Sequence, residues 1–241
     1  MLTKSQIKLI SSLNQKKFRN QHKLFKVEGV KGIHEFLNSD FKLHQLFTTE
    51  AIFNCESTLI SELDIKKIST LKTPNTALAL FKIPEPKPVD ESRLIVALDD
   101  IRDPGNLGTI IRLCDWFGVR DLVCSLSTVD CYNTKVVQAT MGSLTRVNVN
   151  YLDLKPFLKQ SKIQKFGAFM NGKNAYQESL PKKGIIVLGN EANGISSAIE
   201  KLMDQKITIP RFGNLQETES LNVATATAIL LSEFKRRSTE T

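Results

Sequence analysis

The sequence predicts an α/β fold: a doubly wound, mostly parallel sheet over residues 93–241, preceded by a small α/β unit over 1–83 and a Pro-rich linker at 84–92. Three observations predict it. Six short apolar runs recur after residue 92 and most alternate with helical patterns, as parallel strands covered on both faces require. IPEPKPVDES at 83–92 sets three prolines in five positions, which disfavours helix and leaves the chain stiff and extended between two folded parts. The composition, 41 % apolar and 24 % charged over 241 residues, suffices for a buried core and excludes low-complexity, collagenous and largely disordered classes.

Before the linker, Ile7, Ile10 and Leu13 repeat at helical spacing, LFKVEG (24–29) alternates like a strand, and Val30, Ile33, Phe36 and Leu37 return to a helical stripe. A strand at 42–48, a short helix near 61–69 and a strand at 77–83 complete the small unit. After the linker, strands are expected at 93–98, 120–125, 147–151, 165–170, 184–189 and 206–209. Between the first two, Leu107, Ile110, Ile111, Cys114 and Phe117 form one core stripe over 107–118, which directs Arg112 and Trp116 away from the core. The last helix, from about Leu221 to Arg236, is apolar around nearly its whole circumference, so a face beyond the one on its own domain is expected to meet a second subunit, with Trp116 a candidate for the same interface.

The net charge of +8 is uneven: residues 1–83 carry 13 basic and 7 acidic side chains, net +6, and residues 84–241 carry 20 and 18, net +2. Lys4, Lys8, Lys16, Lys17, Arg19, Lys23, Lys26 and Lys31 face only Glu28 and Glu35, which suits attraction to nucleic-acid phosphates. The longest uncharged run, Ser220 to Ser232, has 13 residues, short of a membrane span, and the N-terminus has no secretory-signal pattern. Four cysteines without a C-x-x-C pair, and three histidines far from most of them, predict no metal site and suit a reducing compartment, the cytoplasm.

Neither G-x-x-x-x-G-K-[ST] nor a strand followed by G-x-G-x-x-G occurs, which disfavours an NTPase or dinucleotide enzyme. Instead, three polar, glycine-bearing segments each follow a strand: DDIRDPGNLGTIIRLCDWFG (99–118), LGNEANGIS (188–196) and IPRFGNLQETESLNVATA (209–226). In open α/β sheets ligands bind outside the carboxyl ends of strands, so the three can converge on one crevice. Taken singly, each has a plainer reading: Asn106 as a helix cap in a Pro-Gly turn, Gly189 and Gly194 in tight turns, Ser220 as the cap of the last helix.

Taken together, the segments resemble the SpoU/TrmH family of RNA ribose methyltransferases, within the SPOUT superfamily. The likeness covers about 91–241 and rests on Asn106-Leu107-Gly108 with Arg112, on Gly189, Glu191 and Gly194, and on Ile209-Pro210 followed by Ser220-Leu221-Asn222-Val223. Residues 1–83 more loosely resemble the ribosomal-protein-like RNA-binding domain that many members carry. One departure is a spacer between Pro210 and Ser220 longer by about three residues than is common in the family. The resemblance implies a homodimer with a C-terminal trefoil knot that binds S-adenosyl-L-methionine through backbone groups near Gly189, Ile209 and Leu221. It implies methyl transfer to a ribose 2′-hydroxyl of rRNA or tRNA, and the sequence itself adds the expectation of no metal and no membrane partner. Arg112 would then hold an RNA phosphate beside the hydroxyl rather than act as a base, because an arginine ordinarily keeps its proton to above pH 12. Asn106 and Asn222 would orient Arg112 or the ribose, Glu191 would anchor that network, and Ser220 would hydrogen-bond within it. Arg102, at the mouth of the first segment, is a further candidate RNA contact. The rival readings are a non-catalytic RNA-binding or ribosome-assembly factor that keeps the fold, and a SPOUT enzyme that modifies a base.

Overall fold

A computed structural model describes residues 2–212 and 220–236. The chain divides into two compact units: one contains the residues up to Glu85 together with Asp130–Thr145, the other Pro86–Val129 together with the residues from Arg146 onward.

In the first unit, α1 (Lys4–Ser12) and α2 (Lys16–His22) precede β1 (Leu24–Glu28), α3 (Val30–Leu37), β2 (Leu43–Thr48), β3 (Thr58–Leu59), α4 (Glu62–Ile68) and β4 (Ala77–Lys82). Thr3 starts α1 with a capping box: its hydroxyl accepts from the Gln6 N–H while the Gln6 side chain accepts from the Thr3 N–H. The sheet order is β1-β4-β2-β3, with β4 antiparallel to both neighbours and the two-residue β3 parallel to β2. Strand alternation sorts the core into two halves. Leu24, Leu78 and Leu80 meet Ile10, Leu13, Ile65 and Ile68, whereas Phe25 and Phe81 meet Phe36 and Phe41. These phenylalanines are core residues and not a stacking surface.

Two of the basic residues counted toward phosphate attraction are buried instead. Arg19 is 2 % exposed: its Nη1 donates to the Leu13 and Asn14 carbonyls, and its Nε and Nη2 donate to Asp130 Oδ2. Lys26, paired with Leu80 across the sheet, is 1 % exposed and its Nζ has no hydrogen-bond partner among the described residues. Asp130 belongs to a segment that the sequence reading places within 93–241; Tyr132, 4.7 Å from Phe25 between ring centroids, and α6 (Thr134–Thr140) pack with it into the first unit. The exposed cations of this unit include Lys4, Lys8, Lys16, Lys17, Lys23 and Lys31.

The second unit runs β5 (Leu94–Asp99), α5 (Pro104–Trp116), β6 (Asp121–Ser125), β7 (Asn148–Leu152), α7 (Leu154–Gln160), β8 (Lys165–Asn174), β9 (Gly184–Gly189), α8 (Ser197–Glu200), β10 (Gln205–Thr208) and α9 (Val223–Arg236). The sheet order β10-β8-β9-β5-β6-β7 is parallel at every pairing. All six expected strands form. The central β5, β6 and β9 are runs of buried residues with no solvent face to interrupt them, and only the outer strands are partly open. Leu107, Ile110, Ile111 and Cys114 of α5 are fully buried, while Arg112 and Trp116 are exposed, as the helical stripe requires. Cys114, Cys124 and Cys131 are buried and Cys55 is exposed. Among the described residues no helix is long and apolar enough to cross a membrane.

Strand β5 sits where the winding reverses, with β6 and β7 on one side and β9, β8 and β10 on the other. Asp99 and Gly189, the last residues of β5 and β9, pair side by side, so the loops that follow them leave the sheet together.

Candidate cofactor cavity and its polar rim

The loop after β5 is set by three local features. Asp100 adopts a left-handed φ of 61° and donates its N–H to Ser125 Oγ, turning the chain away from the sheet. Asp103 caps α5 by accepting from the Asn106 N–H at 2.8 Å, and Pro104 opens the helix. Asn106 is therefore not the cap: it lies in the first turn with its side chain available for other bonds.

The loop after β9 is held to the same place. Asn190 Nδ2 donates to the Asp100 carbonyl at 2.7 Å, Asn190 Oδ1 accepts from the N–H groups of Ala192 and Asn193, and Asp99 Oδ2 accepts from the Ser196 N–H. Gly189 has to be glycine, since a Cβ there would lie 2.1 Å from the backbone of Gly194 and Ile195. Gly194 serves a different need, a left-handed φ of 66° with open space around it.

The third segment begins α9 with Asn222, not Ser220, as its cap: Asn222 Oδ1 accepts from the N–H groups of Ala224 and Thr225. With that oxygen engaged, Asn222 Nδ2 donates to Asn106 Oδ1 at 2.9 Å, and Asn106 Nδ2 donates to Glu191 Oε1 at 2.9 Å. A chain of two hydrogen bonds thus ties one residue from each of the three segments, and both amide orientations are fixed by their partners.

This chain borders a cavity of about 1310 Å³. Gly189, Ile209 and Leu221, expected to hold a cofactor, line its wall, as do Glu191, Ser220 and Asn222. Asn106 touches the cavity only through Glu191 and Asn222. Arg112 lies six residues further along α5, exposed, with no hydrogen bond or ion pair among the described residues. Ser220 forms no hydrogen bond within the network among the described residues, and the 213–219 part of the longer spacer lies outside them. Arg102 pairs with Asp100 at 2.9 Å; that hydrogen bond first, then the Asp100 charge, hold its pKa above the ordinary arginine value. No group of three His, Cys, Asp or Glu placed to hold a metal ion occurs among the described residues.

Sequence reasoning missed Asp99, Ser125 and Asn190, which brace the two loops. For Asn190 a signal existed: an asparagine just past a strand end, followed by Glu-Ala-Asn-Gly, is an Asx-turn pattern. The burial of Asp99 and Ser125 is a matter of neighbours distant in sequence and left no local mark.

Comparison with known proteins decides the family. Residues 93–232 match the model of the SpoU rRNA Methylase family, and residues 4–79 match an MRM3-like substrate binding domain. The chain belongs to the SpoU rRNA methylase family. Among solved structures, it resembles a protein from Porphyromonas gingivalis assigned to the TrmH family of RNA methyltransferases, with TM-score 0.90 and 40 % identity over 98 % of this chain and 99 % of that one. An AdoMet-bound rRNA methyltransferase from Sinorhizobium meliloti gives TM-score 0.87 at 27 % identity, over 98 % and 96 % of the two chains. The Bacillus subtilis 23S rRNA (guanosine(2553)-2′-O)-methyltransferase RlmP is 27 % identical over 92 % of this chain and 93 % of that enzyme. In this SpoU chain the three polar, glycine-bearing segments are the three loops that the Asn106 bonds tie together.

Proposed function

We propose that this chain transfers a methyl group from S-adenosyl-L-methionine to a ribose 2′-hydroxyl of structured RNA, ribosomal RNA ahead of transfer RNA. The observation that carries the reading is the Glu191–Asn106–Asn222 chain, which joins all three motifs at the rim of one cavity. The named activity of the Bacillus relative over nearly its full length, and the AdoMet bound in the Sinorhizobium structure, support it. Leu188, Ile207, Ile209 and Leu221 give the cavity apolar walls, and Glu191 and Asn222 give it a polar edge, a combination that fits a nucleoside with flat apolar faces and a hydrogen-bonding ribose. When bound, S-adenosyl-L-methionine supplies an electrophilic methyl group on a sulfonium leaving group.

The work left to the protein is to place a hydroxyl and to stabilise charge as its proton leaves. Arg112, cationic and without an ion-pair partner among the described residues, holds an RNA phosphate beside the hydroxyl. Asn106 and Asn222 present fixed amides toward the ribose, Glu191 holds Asn106 in its orientation, and Ser220 at the cavity edge donates or accepts as the RNA settles. Backbone groups at Gly189, Ile209 and Leu221 hold the cofactor. Residues 1–83, through Lys4, Lys8, Lys16, Lys17, Lys23 and Lys31, grip the RNA, the 84–92 segment links, and 93–241 carries the transfer.

The reading extends to assembly and place. The enzyme acts in the cytoplasm as a homodimer with a trefoil-knotted C-terminal segment. Support for the dimer comes from α5 and α9, which pack on one another and leave Trp116 84 % exposed and Ala226, Ala228 and Ile229 only partly covered. The test is transfer of labelled methyl to total RNA from cells lacking the gene, wild type against Arg112→Ala, with digestion to nucleosides. Label recovered as a 2′-O-methylnucleoside with wild type alone supports the proposal. Label on a base, or RNA binding without any transfer, overturns it in favour of a base-modifying enzyme or a binding factor.

A further inference from the structure

Beyond the cavity rim lies an aromatic pair that the catalytic reading does not use. The pairing of β10 with β8 slips after Lys206: Lys206 pairs with Gly167, but Ile207 pairs with Lys173, so residues 168–172 are passed over in the ladder, and Ala168, Phe169 and Met170 line the cavity wall. Just past the slip, Tyr176 is held firmly. The Ala175 N–H donates to the Thr208 carbonyl at 2.9 Å, and the Tyr176 N–H donates to Asn174 Oδ1 at 3.0 Å. Phe212 stacks on the Tyr176 ring with centroids 6.3 Å apart and planes 21° from parallel, yet is 82 % exposed. It directly follows Pro210 and Arg211, which both line the cavity.

We infer that Phe212, backed by Tyr176, is a positioning residue that stacks on an unpaired nucleobase of the RNA at the mouth of the cavity. The two rings lie nearly parallel and offset, with most of the Phe212 ring open to solvent, which leaves an aromatic face free for a splayed-out base of single-stranded RNA. A second copy of the chain is the weaker occupant, because the platform adjoins the edge strand β10, whereas the face assigned to the dimer lies on α5 and α9. The inference rests on the proposed RNA methylation.

The experiment compares Phe212→Ala, Phe212→Leu and Phe212→Tyr with wild type in methyl transfer to total rRNA from cells lacking the gene, with S-adenosyl-L-methionine affinity measured in parallel. Loss of one base–aromatic stack corresponds to about 5- to 150-fold. Phe212→Ala and Phe212→Leu should therefore raise KM for RNA within that range, leave kcat and cofactor affinity within about twofold, and be rescued by Phe212→Tyr. Wild-type behaviour of Phe212→Leu overturns the inference, since any apolar side chain then serves. So does a parallel loss of cofactor affinity, or a defect that disappears at high protein concentration, which assigns Phe212 to a subunit contact. Should wild type methylate no RNA, the reaction proposal fails while the platform stays testable. Combining Trp116→Phe with Phe212→Trp leaves one tryptophan in the protein, at the platform, and its fluorescence is titrated with oligoadenylate. Quenching supports stacking and its absence refutes it.

Discussion

In the first unit the polar side chain with the most specified surroundings, Arg19, is buried, whereas in the second Glu191 and Asn222 line a cavity rim, exposed, with the half-buried Asn106 bonded between them. Both sets read as polar residues near apolar runs. What separates them is what the fold does with each bond: Arg19 satisfies two carbonyls and one carboxylate and has nothing left to offer a ligand, while the amides at the rim are oriented by one another and still reach solvent. A buried polar group holds a unit in shape. An accessible one that is held in place is ready for a ligand.

The sharpest way to break the second half of that comparison is Gly189→Ala. The added Cβ meets backbone, not a flexible side-chain end, so the loop carrying Glu191 has to move. We expect a loss of about 4–5 kcal/mol or more and no measurable cofactor binding by calorimetry. Gly194→Ala is the control, with open space around it and strain from its left-handed φ alone, costing about 1 kcal/mol. Equal behaviour of the two variants would mean that the loop tolerates displacement and does not define the cavity.

The first half breaks at Asp130→Ala, which leaves the Arg19 guanidinium, 2 % exposed, without its carboxylate. Removing one partner of a buried pair costs about 3–5 kcal/mol, read as a lower midpoint in urea unfolding. A change under about 1 kcal/mol would show that water reaches the guanidinium. This pair also marks where the sequence stopped being informative. The six parallel strands were legible because each is a short run whose apolar character is local, and the α5 stripe because helical spacing is local too. The allegiance of 130–145 to the first unit was not, since it rests on partners 111 residues apart. Nor were α2, whose KKFRNQH has no apolar stripe, the two-residue β3, or the extension of β8 to Asn174, which exists only because β10 pairs with it again after the slip. At the site, the residue types were legible and the bonds were not: the motifs named Asn106, Glu191 and Asn222, but which of them caps a helix emerges only from the backbone.

Lys26 gives a smaller effect of opposite sign. Burial, opposed by the Glu28 charge and assisted by the Arg19 charge, lowers its amine from 10.5 to about 8. Below pH 8 the amine is protonated in both the folded and unfolded chain, and the fold bears the full burden of a buried charge. Between about 8 and 10.5 the folded chain releases the proton while the unfolded chain keeps it, so stability rises with pH across that window. Lys26→Met should accordingly stabilise the protein by about 3 kcal/mol at pH 7, a gain that shrinks toward zero by pH 10.5. Urea unfolding at pH 7 and pH 10 reads both numbers, and a pH-independent gain would mean that the methionine simply packs better.

The smallest expected effects lie at the start of α9, where the helix and the site share residues. Asn222 both caps the helix and donates to Asn106, so Asn222→Ala should cost about 1 kcal/mol of stability together with a fall in methyl transfer. Asn222→Ser keeps a capping oxygen but loses the amide donor, and should recover most of the stability without the activity. Ser220→Ala removes no hydrogen bond to a described residue, so its effect on the unfolding midpoint should stay within about 0.5 kcal/mol. Its activity is then the informative number. A fall at unchanged stability would mean that the Ser220 hydroxyl meets the RNA or the cofactor directly. Wild-type activity would leave the reaction to the bonded amides, Glu191 and Arg112, and would make the Ser-Leu-Asn-Val run a device for aiming one asparagine.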